Sequence, residues 1–416
     1  MSHDGRRRLV GQTPFYIRLS CWIIGVALCA LNLPGCGTGM YDVPFSAASQ
    51  LQPWNSTNYP LLSHAPTYSH WIILKCAFSD DPTSRALPPW NIPPAIKDLD
   101  TYINLFLAQG GVGTGNLLDY YRDVTYGTIM VQPRVYGWFN APFASNNTLS
   151  RVTRIEQCMS AVPASAGIDF SQYDGVIVVT NKPQDGGAAG IGKIPLQVTV
   201  GGVTKTFNMG AVVFDPNSMW TAFAAHELGH GLGLPHSWDD AGNQYGDPYD
   251  IMSALNTLQF LWLNYPPEGA ARAPQGSAGP GPNLPNLLFL QAIPPLRLAT
   301  FNSTIRDQSP QTYTLTALSH GNNYHLLGVQ ITTANPSDVY TIEYRQADGW
   351  DTGLFPSGFV TIHEYKVGSS PYSYLQKQGG AGTLVAGKTF QDTGNRFQVL
   401  VQSIDRSQGT ATVIVK

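Results

Sequence analysis

Apolar and polar positions along the chain fall into three regimes. From His70 the run HWIILKCAF is continuously apolar, the pattern of a strand buried on both faces. Between about Pro94 and Gln109, Leu99, Ile103, Phe106 and Leu107 recur at helical spacing, and Gly110-Gly111 stops the helix. A short helical piece at Leu117–Tyr121 leads into GTIMVQPRVYGWF, a strand or hairpin. YDGVIVVTN (Tyr173–Asn181) is β-branched and apolar, as a central strand requires. Lys182–Lys193 is Gly-rich and reads as a loop, and Thr204–Asp215 returns to strand character. Tyr265 to Pro295 is rich in Pro and Gly, broken by the apolar Leu284–Ala292, and is expected to wrap the body before it. From about Phe301 the pattern changes to short alternating runs (YTLTAL, HLLGVQITT, VYTIEYR, GFVTIHEY, RFQVLVQSI, ATVIVK) with turn residues between them. That spacing predicts an antiparallel β-sandwich.

The N-terminus carries a different signal. Arg6, Arg7 and Arg8 precede the apolar run Leu19–Leu31, which is shorter than the roughly 20 residues of a spanning helix and has the form of an export signal. Leu33-Pro34-Gly35-Cys36 follows and resembles a lipobox in which Cys36 would carry a lipid; cleavage near Gly35–Gly39 and release is the alternative. Either outcome places the mature chain outside the cytosol, secreted or at the cell surface. The Ser/Pro/Asn-rich stretch from Met40 to about Pro66 reads as a tether.

Composition narrows the partners. Charged residues make up 12% of the 416, net charge is -3, and the chain holds 42 Gly and 31 Pro. With no basic field, nucleic acid is not an expected partner. Of five cysteines, Cys76 and Cys158 alone lie in the mature body. They could pair in an oxidising compartment, though the sequence does not show that they meet.

HELGHGLGLPH, from His226 to His236, carries the chemistry. His226 and His230 are four apart, which on a helix puts both imidazoles on one face. Ser218 or Asn217 can cap that helix, and Met219, Phe223 and Ala224 supply its apolar stripe. Gly233 can take positive φ and swing the chain back, delivering His236 as a third ligand. Three neutral imidazoles leave a tetrahedral zinc one open position, and Glu227 lies beside it. The pattern should arise by chance on the order of 10⁻⁵ times in such a chain, whereas a closed structural site would use four protein ligands. Downstream, YGDPYDIMSA (Tyr245–Ala254) contains Met252.

Together these segments resemble the metzincin zinc metallopeptidases, in which HExxHxxGxxH is followed by a methionine turn beneath the metal. GDPYDIMS, with DYYRDVTYGTIMVQPRVYGW upstream, looks like the gametolysin-like branch, and YTIEYRQADGWD and GFVTIHEY are similar to the β-rich region of immune-inhibitor-A-type peptidases. The resemblance implies zinc ligands His226, His230 and His236, general base Glu227, and Met252 as the structural Met-turn. Some metzincins carry a tyrosine two residues after that methionine; here Ala254 stands there, which leaves Tyr249 as a candidate oxyanion donor. No Pro-Arg-Cys-Gly latency cysteine occurs, and Cys36 reads as a processing-site residue.

Asp239, Asp240, Asp247 and Asp250 cluster around the motif and could bind calcium, hold the histidines, or simply serve turns and caps, the last being favoured. Asp80-Asp81 is read the same way. His320, His325 and His363 are taken as ordinary surface or packing histidines. The expected fold is α+β: a signal peptide over 1–36, a linker over 37–67, a metzincin-like domain with a twisted mixed sheet and active-site helix over 68–298, and the β-sandwich over 299–416. The expected function is a secreted or lipid-anchored, monomeric zinc endopeptidase acting on proteins or peptides, with no transmembrane domain. The alternative is a surface adhesin or glycan-binding protein on the same scaffold.

Overall fold

The computed structural model describes residues 67–88, 96–108, 116–184, 190–191, 196–200, 203–207, 209–261, 277–305, 308–321, 323–355, 358–378 and 380–416. The export signal, Cys36 and the tether lie outside the described residues. Among the described residues, no helix is long and apolar enough to cross a membrane. The architecture is mixed α and β, with several sheets and few helices.

The first sheet is built from β1 (Thr67–Ala77), β2 (Ile129–Asn140), β3 (Gly175–Thr180), the short β4 (Gly190–Ile191) and β7 (Ala211–Phe214). Its order is β2-β1-β3-β7-β4, parallel except at β4. Every residue of β3 is buried, as its uninterrupted apolar run requires. GTIMVQPRVYGWF is one long edge strand and not a hairpin, and an edge strand is where a proline such as Pro133 is tolerated. Thr204–Asp215 is divided: β5 (Leu196–Val200) and β6 (Val203–Phe207) form a separate ribbon, and Gly210, at φ 71°, turns the chain into β7.

Alternation along these strands separates two cores. Trp71, Ile73, Ile177, Val212 and Phe214 face α1 (Leu99–Ile103), α2 (Leu117–Val124) and α4 (Thr221–Gly231), the last being the motif helix. Ile72, Leu74, Cys76, Val176 and Val178 face α3 (Arg151–Ser160). The predicted helix near Pro94–Gln109 is α1 followed by a π-type turn, Asn104–Ala108. Cys76 and Cys158 do meet: their disulfide ties β1 to α3 inside the second core.

Beyond the motif lie β8 (Trp238–Asp239), the paired β9 (Phe260–Leu261) and β10 (Ser277–Ala278), and α5 (Leu284–Phe289). The C-terminal part holds β11 (Leu298–Asn302), β12 (Gln311–Thr316), β13 (Gly328–Thr332), β14 (Asp338–Arg345), β15 (Phe359–Lys366), β16 (Ser373–Leu375), β17 (Thr389–Gln391), β18 (Gln398–Asp405) and β19 (Thr410–Val415). These make a six-stranded sheet, β11-β13-β14-β15-β16-β8, and a four-stranded one, β12-β19-β18-β17, sharing one apolar core. The larger sheet is not purely antiparallel: β11 lies parallel to β13, and β8 parallel to β16. Its outermost strand, β8, comes from the segment just after His236. The chain before residue 299 therefore supplies an edge of the later sheet.

Of the segment expected to wrap the body, the described part, from Ser277, is wedged between the two regions. Tyr120 donates to the Pro280 carbonyl at 2.7 Å, and Arg345 donates to the Gly281 carbonyl at 3.1 Å.

The Cys76–Cys158 link closes a loop with a sequence separation of 82. Reduction, or Cys76→Ala with Cys158→Ala, is expected to lower unfolding stability by about 2–4 kcal/mol. Denaturant melts with and without reductant check this; coincident curves would contradict it.

Candidate metal centre

Helix α4 begins at Thr221, with Trp220 as an N-cap that makes no side-chain capping bond. Ser218 does not cap it. Ser218 and Asp215 instead close a capping box around the preceding turn Pro216–Ser218. What holds α4 is burial of Ala222, Ala224, Ala225 and Leu228 in the first core. Tyr121 also donates to the Ala225 carbonyl at 2.5 Å, and Tyr102 to that of Met219. The helix ends at Leu232; Gly233, at φ 98°, reverses the chain, and Leu234 N–H returns to the Gly229 carbonyl at 2.9 Å.

The reversal brings the three imidazoles together. His230 Nε2 lies 3.1 Å from His226 Nε2 and 3.0 Å from His236 Nε2. A tetrahedral zinc with Zn–N bonds of about 2.0–2.1 Å places its ligand nitrogens about 3.3 Å apart, close to these spacings. The other ring atoms settle the tautomers. His226 Nδ1 donates to the Ile251 carbonyl at 3.0 Å and His230 Nδ1 to the Leu234 carbonyl at 2.7 Å. Carbonyls only accept, so both Nδ1 atoms carry the proton and both Nε2 atoms present lone pairs. Two lone pairs 3.1 Å apart cannot satisfy each other; a cation between them can. His236 Nδ1 meets the Gln244 side-chain amide, which presents its oxygen once Nε2 is a ligand.

Burial reinforces this. It pushes His226 down to about 3, helped by the neighbouring His230, and His236 to about 4; His230 is lowered too. The rings thus stay neutral, the form that binds metal. Among the described residues, these three form the group that could hold a metal ion.

Met252 is fully buried beneath α4. A Cβ on Gly229 would lie 2.6 Å from Met252 Sδ and 2.9 Å from Tyr121 Oη, so the glycine before His230 is what lets that methionine approach. Glu227, 7% exposed, neighbours His226, and its charge raises both Tyr245 and Tyr121 after burial has done so.

Tyr249 is not at the site. Its hydroxyl donates to the Ala381 carbonyl at 3.0 Å, and its ring packs on Phe359. Tyr245, which sequence reasoning passed over, is there instead: its hydroxyl is 3.1 Å from His236 Nε2, on a residue with φ 60°. Its spacing from the histidines gave no signal; only a Tyr-Gly turn hinted at an unusual backbone.

The aspartates accept from neighbouring donors. Asp239 accepts from Ala241 and Asn243 N–H, the Asn243 amide and Lys377 Nζ. Asp240 accepts from Lys377 and Gln378 N–H. Asp247 and Asp250 do hold the loop behind the histidines. Asp81 serves a turn, accepting from Ser84 N–H, whereas Asp80 does not: it accepts from the N–H and hydroxyl of Ser145, far along the chain. His320 pairs with Asp348 at 2.6 Å. His363 is no surface residue: it is wholly buried against Asp247 at 2.9 Å.

A histidine triplet of this kind could hold a metal ion, and the buried Glu227 follows His226 directly in the chain. Residues 152–254, from α3 through the Met252 turn, match the family described as Metallo-peptidase family M12B Reprolysin-like. The match supports a metalloprotease that uses zinc, although it spans well under half of the chain and does not extend to a gametolysin-like assignment. Among solved structures, metalloproteinase-II from Bacteroides fragilis is similar at 16% identity and a TM-score of 0.26, covering 55% of this chain and 53% of that one. The chain thus spans about half the length of that structure, a likeness too slight to bear on fold or function. No curated protein matches the chain.

Two outcomes follow from the site's packing. Gly229→Ala is expected to cost about 1–3 kcal/mol by overpacking against Met252 and to weaken metal binding, read by melting and chelator competition. Because the folded pKa values of His226 and His236 lie below the ordinary 6.5, the unfolded chain binds more protons as pH falls below about 6.5, which costs stability. Acid should strip the metal only well below that pH, because the folded rings resist protonation; residual zinc after equilibration checks this, and full release by pH 6 would contradict it.

Proposed function

We propose that the protein is a zinc endopeptidase of metzincin type that works outside the cytosol on protein or peptide substrates, as a monomer. The convergence of three Nε2 lone pairs, with two Nδ1 protons committed to carbonyls, carries this reading. Export rests on the Arg6–Arg8 and Leu19–Leu31 pattern, with Cys36 lipidation as a variant of it. The gametolysin-like branch rests on the GDPYDIMS segment. A β-sandwich description of the C-terminal region is supported by the core shared between its two sheets.

His226, His230 and His236 would hold the zinc. Bound there, the ion supplies a Lewis acid for the scissile carbonyl and acidifies water towards a pKa of about 7. Glu227 takes the water proton on its carboxylate and hands it to the nitrogen of the departing amine. Met252 and Gly229 keep α4 seated so that the ligand rings do not rotate. Tyr245, its hydroxyl beside His236, donates to the oxygen on which negative charge develops.

Glu227→Gln is expected to keep zinc and lose peptide hydrolysis by about 10³-fold or more. Hydrolysis retained in that variant refutes the assignment. His236→Ala should lose zinc on dialysis. Tyr245→Phe should lower kcat by about 10–10³-fold with little change in KM or zinc content. A chelator-sensitive casein assay separates this reading from an adhesin on the same scaffold, which would cleave nothing.

A further inference from the structure

One face of β14 and β15 buries the apolar residues Ile342, Tyr344, Val360 and Ile362 in the core between the two C-terminal sheets. The opposite face carries Glu343, Arg345 and His363, all fully buried as well. Alternation of this kind ordinarily sends the polar face to water. Here it meets the loop behind the metal ligands.

The charges on that face form an alternating row. Asp351 accepts from Arg345 at 2.7 and 2.8 Å, and Arg345 donates to Glu343 at 3.1 Å. Glu343 lies 3.8 Å from His363 Nδ1, and His363 Nε2 lies 2.9 Å from Asp247. Burial opposes a charge on His363, but Glu343 and Asp247 outweigh it and raise the ring's pKa. Burial likewise opposes a charge on Asp247, yet His363, Asn283 and the Tyr249 N–H together hold its carboxyl below the usual range.

From Asp247 the contacts run to the ligands. Asn283 donates its amide to Asp247 at 3.0 Å and its N–H to Asp250 at 2.7 Å. Asp250 accepts from Met252 N–H at 3.1 Å and from the hydroxyl of Ser237, the residue after His236. Ile251, between Asp250 and Met252, offers the carbonyl that orients His226.

We propose that His363 is a positioning residue for the metal centre: by gripping Asp247 it fixes the loop that orients His226 and His236, so the C-terminal sheet completes the site. The inference rests on the three histidines holding a metal and deepens the reading above. Ligand-orienting partners of this kind are worth about 10–100-fold in metal affinity.

The test uses full-length chains carrying His363→Ala, His363→Gln, or His363→Gln with Asp247→Asn. Zinc affinity is read by chelator competition, the visible spectrum of the cobalt-substituted protein reports ligand geometry, and melting of the metal-free forms reports stability. His363→Ala is expected to weaken zinc about 10–100-fold and change the cobalt bands. The double variant, with two neutral amides able to bond across the same gap, should recover most of both. His320→Ala should change neither. If His363→Ala does not fold, the Gln and double variants decide. A variant that melts earlier yet keeps wild-type zinc affinity and cobalt spectrum overturns the proposal, leaving His363 a purely structural residue. Wild type that binds zinc without cleaving peptides overturns the peptidase reading alone, and wild type that binds no zinc overturns both.

Discussion

Three nitrogen lone pairs aimed at one point repel one another, and a positive charge placed among them turns that repulsion into attraction. In this protein that constraint governs the surroundings. Each of His226 and His230 donates a hydrogen bond from Nδ1–H to a backbone carbonyl, which removes the freedom to relieve the clash by switching tautomer. Burial holds the rings uncharged. The convergence of the three rings is therefore held by their surroundings, and the rest of the molecule supplies that rigidity.

That rigidity comes from two directions. On one side the parallel sheet and its helices seat α4 through apolar burial, with Gly229 thin enough to admit Met252 and Tyr121. On the other, charged groups that would cost several kcal/mol each if buried alone are arranged in alternation, so that every one has an opposite neighbour. Arg345 illustrates the economy: it is fully buried, yet two acids and the Gly281 carbonyl satisfy it. Such a row is poor at adding stability but good at specifying one arrangement, since a slip of either strand would strand a charge in the interior.

The chemistry-bearing core of the site was legible because it is local. His226, His230, Gly233 and His236 lie within a few residues, and helical periodicity plus one positive φ suffices to converge them. Tyr245 was not legible, since its approach depends on a turn conformation rare for a tyrosine. The acidic cluster was ambiguous for a related reason. Whether Asp247 faces a cation, water or a histidine depends on a partner 116 residues away in sequence. His363 reads as unremarkable until β15 is placed against that loop.

What the residues settle unaided is whatever rests on short-range periodicity and composition: the buried strands, the motif helix, its reversal at Gly233, and the alternating strands after Phe301. What required the folded chain is every choice between solvent and interior for a polar face. The alternation in β14 and β15 is the same whether Glu343, Arg345 and His363 meet water or a second layer of protein. Only the docking of α5 and the Asp247–Asp250 loop onto that face decides it, because burial of charge is a property of the neighbours, not of the strand that carries it.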